Sequence, residues 1–213
     1  MNRTVFLIDG FNVYHSLENA SKDLGGKSTK WLDIKSLSSS YLGNIGSNAI
    51  LKDIYYFSAY ATHLSPNNPG VVQRHRNYIK CLEDSGIHCE MNRFKEKIIK
   101  CPNCKQPFSR HEEKETDVSI SVKIIELFHN DECDTVVIVS GDTDISPAAR
   151  TAKLLFPAKH VWFLFPYKRS NEDLRKLNPG QNIKIRKESY TKHQFPNPHK
   201  LSDGTTISKP ATW

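Results

Sequence analysis

Short runs of β-branched and aromatic residues alternate with longer segments of helical spacing, and this alternation limits the possible folds more than any other feature of the chain. TVFLI (4–8), DIYYFSAYA (53–61), IHCEMNRF (87–94), TVVIV (135–139) and HVWFLFP (160–166) read as strands, the first a buried one. Between them, VYHSLENA (13–20) begins a helix. GVVQRHRNYIKCLEDSG (70–86) places Val71, Val72, Tyr78, Ile79 and Leu82 at roughly helical spacing before a glycine stop. DVSISVKIIELFHN (117–130) carries Val118, Ser121, Val122, Ile125 and Phe128 on one helical face. SPAARTAKLLF (146–156) opens with Ser146 as N-cap and Pro147 in the first turn. A β-α-β order of this kind predicts an α/β fold, its sheet mainly parallel with helices on both faces.

Two segments break the rhythm. Residues 93–113, RFKEKIIKCPNCKQPFSRHEE, read as a basic hairpin or knuckle inserted into a domain spanning 1–188. Residues 189–213, rich in Pro, Asn, Gly and Lys, read as an extended tail that drapes over the domain or moves freely. Four apolar residues, VFLI, are too few for a signal segment, and no later run approaches membrane-span length. A soluble cytoplasmic protein is expected. The net charge of +7 favours a polyanionic partner, nucleic acid first, and no membrane, although charge alone equally fits an inert basic surface. The oligomeric state is left open, a homo-oligomer included.

In an open parallel sheet, functional residues gather at the carboxyl ends of the strands. Asp9 and Asn12 follow the first predicted strand, Asp142 and Asp144 follow TVVIV, and Asp117 opens the helix after EEKE. Gly10 and Gly141 lie beside the acids, where the backbone must turn tightly or meet a ligand. Any one Asp here is more simply a cap or turn residue. Four drawn from three segments would repel one another unless a hard divalent cation joined them. Mg²⁺ or Mn²⁺ takes oxygen ligands, keeps several waters and stabilises charge on a phosphate.

The stretches FLIDGFNVY, HEEKETDVSIS, VVIVSGDTDISP and FPYKRSNEDL resemble, in that order, the successive motifs of the NYN domain family, which belongs with the PIN-like metal-dependent nucleases. The tail stretch SYTKHQFPNP is similar to sequence that closes such chains. The resemblance implies a three-layer α/β/α sandwich of PIN-like, Rossmann-like topology. It implies a phosphodiesterase acting on RNA, an endoribonuclease, with one or two Mg²⁺ or Mn²⁺ ions. Asp9, Asp117, Asp142 and Asp144 match the acidic site, and Asn12 the polar companion of the first Asp. Asp9 and Asp142 are expected as direct metal ligands, with Asp117 and Asp144 acting through water or orienting the nucleophile. Ser140 is placed to contact metal-held water or phosphate. Lys114 is placed to reach the phosphate or to pair with Asp117.

CPNC (101–104) has the spacing of half a zinc site. Cys101 and Cys104 with His111, and with Cys89 or His88, would complete a closed structural Zn²⁺ site; a metal-free turn is the equal alternative. Cys81 and Cys133 read as buried thiols. Lys168 and Arg169 follow the fifth predicted strand and so lie on the functional edge, ready for phosphates, with Tyr167 to stack a base. Arg93, Lys95, Lys97 and Lys100 form a second basic group. GGKST (25–29) lacks the leading glycine and the preceding strand of a phosphate loop. An aspartyl-phosphate phosphatase would carry a second Asp two residues after Asp9, where Phe11 stands. The rival of a different class is a non-catalytic RNA-binding or regulatory module of the same fold.

Overall fold

In the computed structural model, which describes residues 1–213, strand β1 (Asn2–Asp9) lies at the centre of a seven-stranded sheet. The other strands are β2 (Ala49–Ala59), β3 (His88–Lys100), β4 (Pro107–Lys114), β5 (Thr135–Val139), β6 (His160–Phe165) and β7 (Asn182–Lys184). Their order is β4-β3-β2-β1-β5-β6-β7. Every pairing is parallel except that of β3 with β4. The chain therefore builds outward from β1 on one side, then returns through helix α5 (Thr116–His129) to build outward on the other. That reversal puts a topological switch point between β1 and β5.

Side chains of β1 alternate between two cores. Phe6 and Ile8 pack with Val13 and Leu17 of α1 (Gly10–Asp23), with Ile34 and Leu37 of α2 (Ile34–Ser40), and with Tyr78, Ile79 and Leu82 of α4 (Val71–Asp84). Between α2 and β2 lies the short α3 (Leu42–Ile45). Val5 and Leu7 pack on the opposite face with α5, α6 (Ser146–Leu155) and α7 (Glu172–Leu177). Each fully buried aliphatic or aromatic side chain contributes about 1.5–3 kcal/mol. The result is a three-layer α/β/α sandwich. No helix is long and apolar enough to cross a membrane.

Two local expectations are corrected and a third, left between two alternatives, is narrowed to one of them. Helix α5 buries Ile120, Ile124, Leu127 and Phe128, while Val118 and Val122 are 65% and 60% exposed. The helix carries two apolar stripes, and the one with the larger side chains covers the sheet because it removes more area from water. Ser146 is the first residue of α6 rather than its N-cap, and its hydroxyl donates back to the Thr143 carbonyl. Residues 189–213 drape over the domain, and much of that segment is core: Tyr190, at the centre of α8 (Lys187–Lys192), together with Phe195, Leu201 and Ile207, is buried against the α1–α4 face. Tyr190 exchanges a 2.7 Å hydrogen bond with Ser16 and accepts one from the Tyr167 backbone N–H at 3.2 Å. A two-stranded ribbon of β8 (His199–Lys200) and β9 (Thr206–Ile207) completes the chain.

Candidate active site

Ile8 and Val139 are paired at the ends of β1 and β5, so the residues that follow each strand emerge side by side at the switch point. Asp9 is 3% exposed and caps α1. Its Oδ1 accepts the Asn12 backbone N–H at 2.9 Å. Its Oδ2 accepts from Asn12 Nδ2 at 2.8 Å and from Ser140 Oγ at 2.7 Å. The Ser140 hydroxyl in turn accepts the Asp142 N–H at 3.0 Å, and Asn12 Oδ1 accepts the Gly141 N–H at 3.4 Å. Asp142 Oδ1 accepts the Asp144 N–H at 3.0 Å and shapes the turn into α6. Asp9, Asn12, Ser140, Asp142 and Asp144 are thus one hydrogen-bonded unit. A Cβ on Gly10 would lie 2.7 Å from the Phe57 carbonyl oxygen, so only glycine lets α1 start this close to β2.

The acids share one electric field. Burial raises the Asp9 pKa against the hydrogen bonds from Asn12 and Ser140, and Asp142 adds to the rise. Burial, with Asp142, Asp9 and Asp144 nearby, pushes Asp117 up to about 6. Asp117 lies in the first turn of α5, where the helix dipole favours its charge. Desolvation and three neighbouring carboxylates outweigh that dipole. Burial, with Asp9 and Asp117, pushes Glu113 up to about 7, even though the Thr116 hydroxyl donates to it at 2.6 Å.

No three His, Cys, Asp or Glu side chains close into a ready-made metal cage. Mg²⁺ and Mn²⁺ do not need one, because they keep several waters and bind through one or two carboxylates. An all-oxygen donor set that holds the pKa values of Asp9 and Asp117 up fits such an ion.

Of the basic candidates, Arg169 lies with its backbone against the loop that carries the acids. Its carbonyl oxygen lies against Gly141, and its guanidinium and Asp9 both act on the titration of His15. Arg169 Nε is buried without a partner. Tyr167 and Lys168 point elsewhere. The Tyr167 hydroxyl donates to Asp23 at 2.9 Å and Lys168 pairs with Asp23 at 2.6 Å, at the far end of α1, roughly 20 Å of helix away from Asp9. Lys114 pairs with Glu112 at 3.0 Å and not with Asp117. Strand alternation puts it on the opposite face of β4 from Glu113.

The 93–113 insertion is a hairpin, with Arg93–Lys100 in antiparallel register with Lys114–Pro107. One face carries Arg93, Lys95, Lys97, Arg110 and Lys114, with Glu112 among them. Cys101 and Cys104 lie in the turn. There the Cys101 N–H donates to the Gln106 carbonyl at 2.9 Å, the Lys105 N–H donates to the Cys101 carbonyl at 2.9 Å, and Lys105 adopts φ 58°. The neighbouring backbone N–H groups of Cys104 and Asn103 and the Cys104 thiol lower the Cys101 pKa. His111 is not brought to this pair. It opposes Glu96, roughly 13 Å of strand from the turn, and stacks on His63 with ring centroids 4.1 Å apart. Cys89 and His88 stay at the foot of β3, paired with Tyr56 and Tyr55. An unbroken ladder leaves no chain to fold back to the tip.

Reading the sequence by strand ends misses Glu113, His15 and Phe11. Glu113 falls within HEEKETD, four residues before Asp117, and the hairpin returns it to the site. His15 lies three residues after Asn12, hence on the same helical face. Phe11, 43% exposed, packs edge-on against His15 with centroids 4.4 Å apart.

No curated protein matches the sequence. Among solved structures, a Vibrio parahaemolyticus protein of unknown function superposes with a TM-score of 0.55 at 16% identity, over 87% of this chain and 93% of its own. MurG of Acinetobacter baumannii gives a TM-score of 0.36 at 9% identity, over 98% of this chain and 46% of its own, too low to bear on the fold. The family model described as NYN domain matches residues 3–178, a span that holds the sheet except β7 and the first residue of β1, together with all five acids. The chain belongs to the NYN domain family, whose PIN-like fold is of nuclease type.

Proposed function

We propose that this NYN domain is a divalent-metal-dependent phosphodiesterase, an endoribonuclease that hydrolyses RNA at the switch-point acids. The observation that carries the reading is the shared field of Asp9, Asp117, Asp142, Asp144 and Glu113, in which two carboxyls are held near neutrality. Asp9 and Asp142 are the direct ligands of Mg²⁺ or Mn²⁺, with Asp117 and Asp144 held through water. The bound ion supplies charge neutralisation at the carboxylates and at the phosphate.

The protein's own groups do the rest. Ser140 and Asn12 fix the Asp9 carboxylate in one rotamer and oppose the rise in its pKa that burial causes. Glu113, pushed up to about 7, is matched to taking and returning a proton near neutral pH. Arg169, with its unpartnered Nε, contacts the phosphate. Phe11, exposed beside Asn12, stacks a base, and the basic hairpin face follows the backbone. The choice of RNA over DNA rests on the resemblance to the family, and charge alone does not make it. A reducing cytoplasm suits five cysteines that are all unpaired.

The test is cleavage of single-stranded and structured RNA by wild type, Asp9→Asn and Asp142→Asn, with Mg²⁺, with Mn²⁺ and with chelator. Cleavage by wild type alone, and only with metal, is expected. Cleavage surviving both substitutions puts the chemistry elsewhere. Tight binding with no cleavage of any substrate replaces the enzyme with the RNA-binding module.

A further inference from the structure

The β3–β4 hairpin is unusual in what supports it. The last pairing of β3 with the main sheet is Ala59 with Asn92, yet the strand continues eight residues to Lys100. At about 3.3 Å per residue the tip stands roughly 26 Å beyond the sheet. Above the His63 ring, which packs on Phe94 and His111 in the lower half of the arm, its only partner is β4. Near the tip, Ile98 is 74% exposed and Phe108 47% exposed. An isolated two-stranded ribbon is marginal in water, so the protein maintains a long arm with nothing of its own to cover the end.

What the arm carries is a shaped thiol pair. Cys101 and Cys104 sit together in a turn closed by the Cys101–Gln106 and Lys105–Cys101 backbone bonds, with Lys105 in the left-handed region. A C-x-x-C turn with a left-handed residue directly after the second cysteine has the shape of a thiolate metal knuckle. Two ligands are half of a tetrahedral zinc site, since a closed structural site takes four.

The other half is not in this chain. Cys81 and Cys133 are fully buried in the two cores, and Cys89 is at the foot of β3. His111 is engaged with His63 well below the tip. No third His, Cys, Asp or Glu joins the pair. We propose that a second copy of this chain completes the site: Cys101 and Cys104 from two hairpin tips close on one Zn²⁺, which clasps the protein as a dimer.

Charge supports a second copy over a free-standing pair. Four thiolates around Zn²⁺ leave a net charge of about −2. Lys100 and Lys105 flank the pair in each copy, so the assembled centre sits among four cations. Without metal the same lysines repel, which makes the contact zinc-dependent rather than constitutive. A two-fold axis through the ion makes the contact isologous and closed, so the clasp yields dimers and not fibres. The acidic site takes no part, so the clasp stands or falls independently of the nuclease reading.

The experiment uses the full chain, stripped with chelator and titrated with Zn²⁺ alone, with molar mass read by light scattering and metal content measured on the same peak. The expected result is a doubling of mass at about half a zinc ion per chain, reversed by chelator. Co²⁺ in place of Zn²⁺ should give the thiolate-to-metal absorption of a tetrahedral four-sulfur centre. An Asp9→Asn/Asp142→Asn background should keep both signals. Cys101→Ser/Cys104→Ser should stay monomeric without the absorption, with an unchanged melting temperature, because the tip packs against nothing in its own chain. One thiolate-bound zinc per monomer, a dimer that persists in the double serine variant, or no uptake of metal by the thiols overturns the proposal.

Discussion

Ser140 donates its hydroxyl to Asp9 Oδ2 at 2.7 Å between two buried side chains, and so ties the end of β5 to the end of β1. The same oxygen accepts the Asp142 N–H, so one serine sets the spacing of the two acids proposed as metal ligands. Ser140→Ala leaves Asp9 with Asn12 alone and leaves the Asp142 N–H without its acceptor. A hydrogen bond to a charged group contributes about 1.5–3 kcal/mol. The melting temperature should drop by roughly 3–12 °C, as expected for a chain of this size. Steady-state kinetics on RNA should show kcat falling with KM little changed. An unaltered kcat would remove Ser140 from the site's positioning machinery.

The raised carboxyls give the metal-free protein a particular pH dependence. Glu113 titrates near 7 and Asp117 near 6 in the native state, against ordinary values of 4.5 and 3.8. Between those limits the native state binds more protons than the unfolded one, so stability falls as pH rises through the native pKa values. Glu113→Gln keeps an oxygen to accept from Thr116 and abolishes the buried charge. It should stabilise the chelator-treated protein at pH 8 by about 1–3 kcal/mol. The gain should vanish near pH 4, where wild-type Glu113 is already neutral. Urea denaturation at the two pH values reads this directly, and an equal gain at both would assign the effect to packing.

The parallel sheet is legible because TVFLI, TVVIV and HVWFLF are apolar after their first residue and separated by crossover segments, and the strand-end rule then locates four of the five acids. Glu113 is not legible, because it is returned to the site by a hairpin whose register depends on pairing and not on pattern. The buried face of α5 is misread because Val118, Val122 and Ile125 form a stripe as regular as Ile120, Ile124 and Leu127, and periodicity carries no measure of which stripe covers more area. Residues 189–213 read as peripheral because Tyr190, Phe195, Leu201 and Ile207 are single anchors between polar residues. Tertiary packing alone makes them core. Tyr167 and Lys168 follow the right strand, yet Asp23 draws both away from the acids.

The hairpin's basic face can be tested separately from catalysis. Lys97 and Lys114 share Glu112 at 3.6 and 3.0 Å, and Arg93 pairs with Glu115 at 2.5 Å, whereas Lys95 and Arg110 make no ion pair. Replacing Lys95, Lys97 and Arg110 by Ala in an Asp9→Asn background should weaken RNA binding similarly for all sequences. The salt slope should shrink by about 0.7 for each single-strand phosphate that the arm no longer neutralises. Titrations of labelled RNA across a range of salt concentrations report both quantities. A slope equal to the parent's would place the RNA path off this arm.

Gly141 offers the strictest test of how the site is assembled. A Cβ there would lie 1.8 Å from the Arg169 carbonyl oxygen and 2.8 Å from its carbonyl carbon, so one backbone must move. The 167–169 segment cannot retreat freely: Ser16 Oγ donates to the Tyr167 carbonyl at 2.9 Å, Lys168 pairs with Asp23, and the Arg169 N–H donates to the Pro166 carbonyl at 2.9 Å. The chain from Ser140 to Asp142 therefore gives way and strains the bonds that hold Asp9 and Asn12. Overpacking of this kind costs about 1–3 kcal/mol or more. A displacement near 1 Å lowers turnover by about 10²-fold. Gly141→Ala should thus lose stability and single-turnover cleavage together. Gly43→Ala, where a Cβ meets nothing within 4 Å, should leave both intact. Full activity in Gly141→Ala would mean that the loop after β6 can yield, and that Arg169 is not fixed to the acids by its backbone.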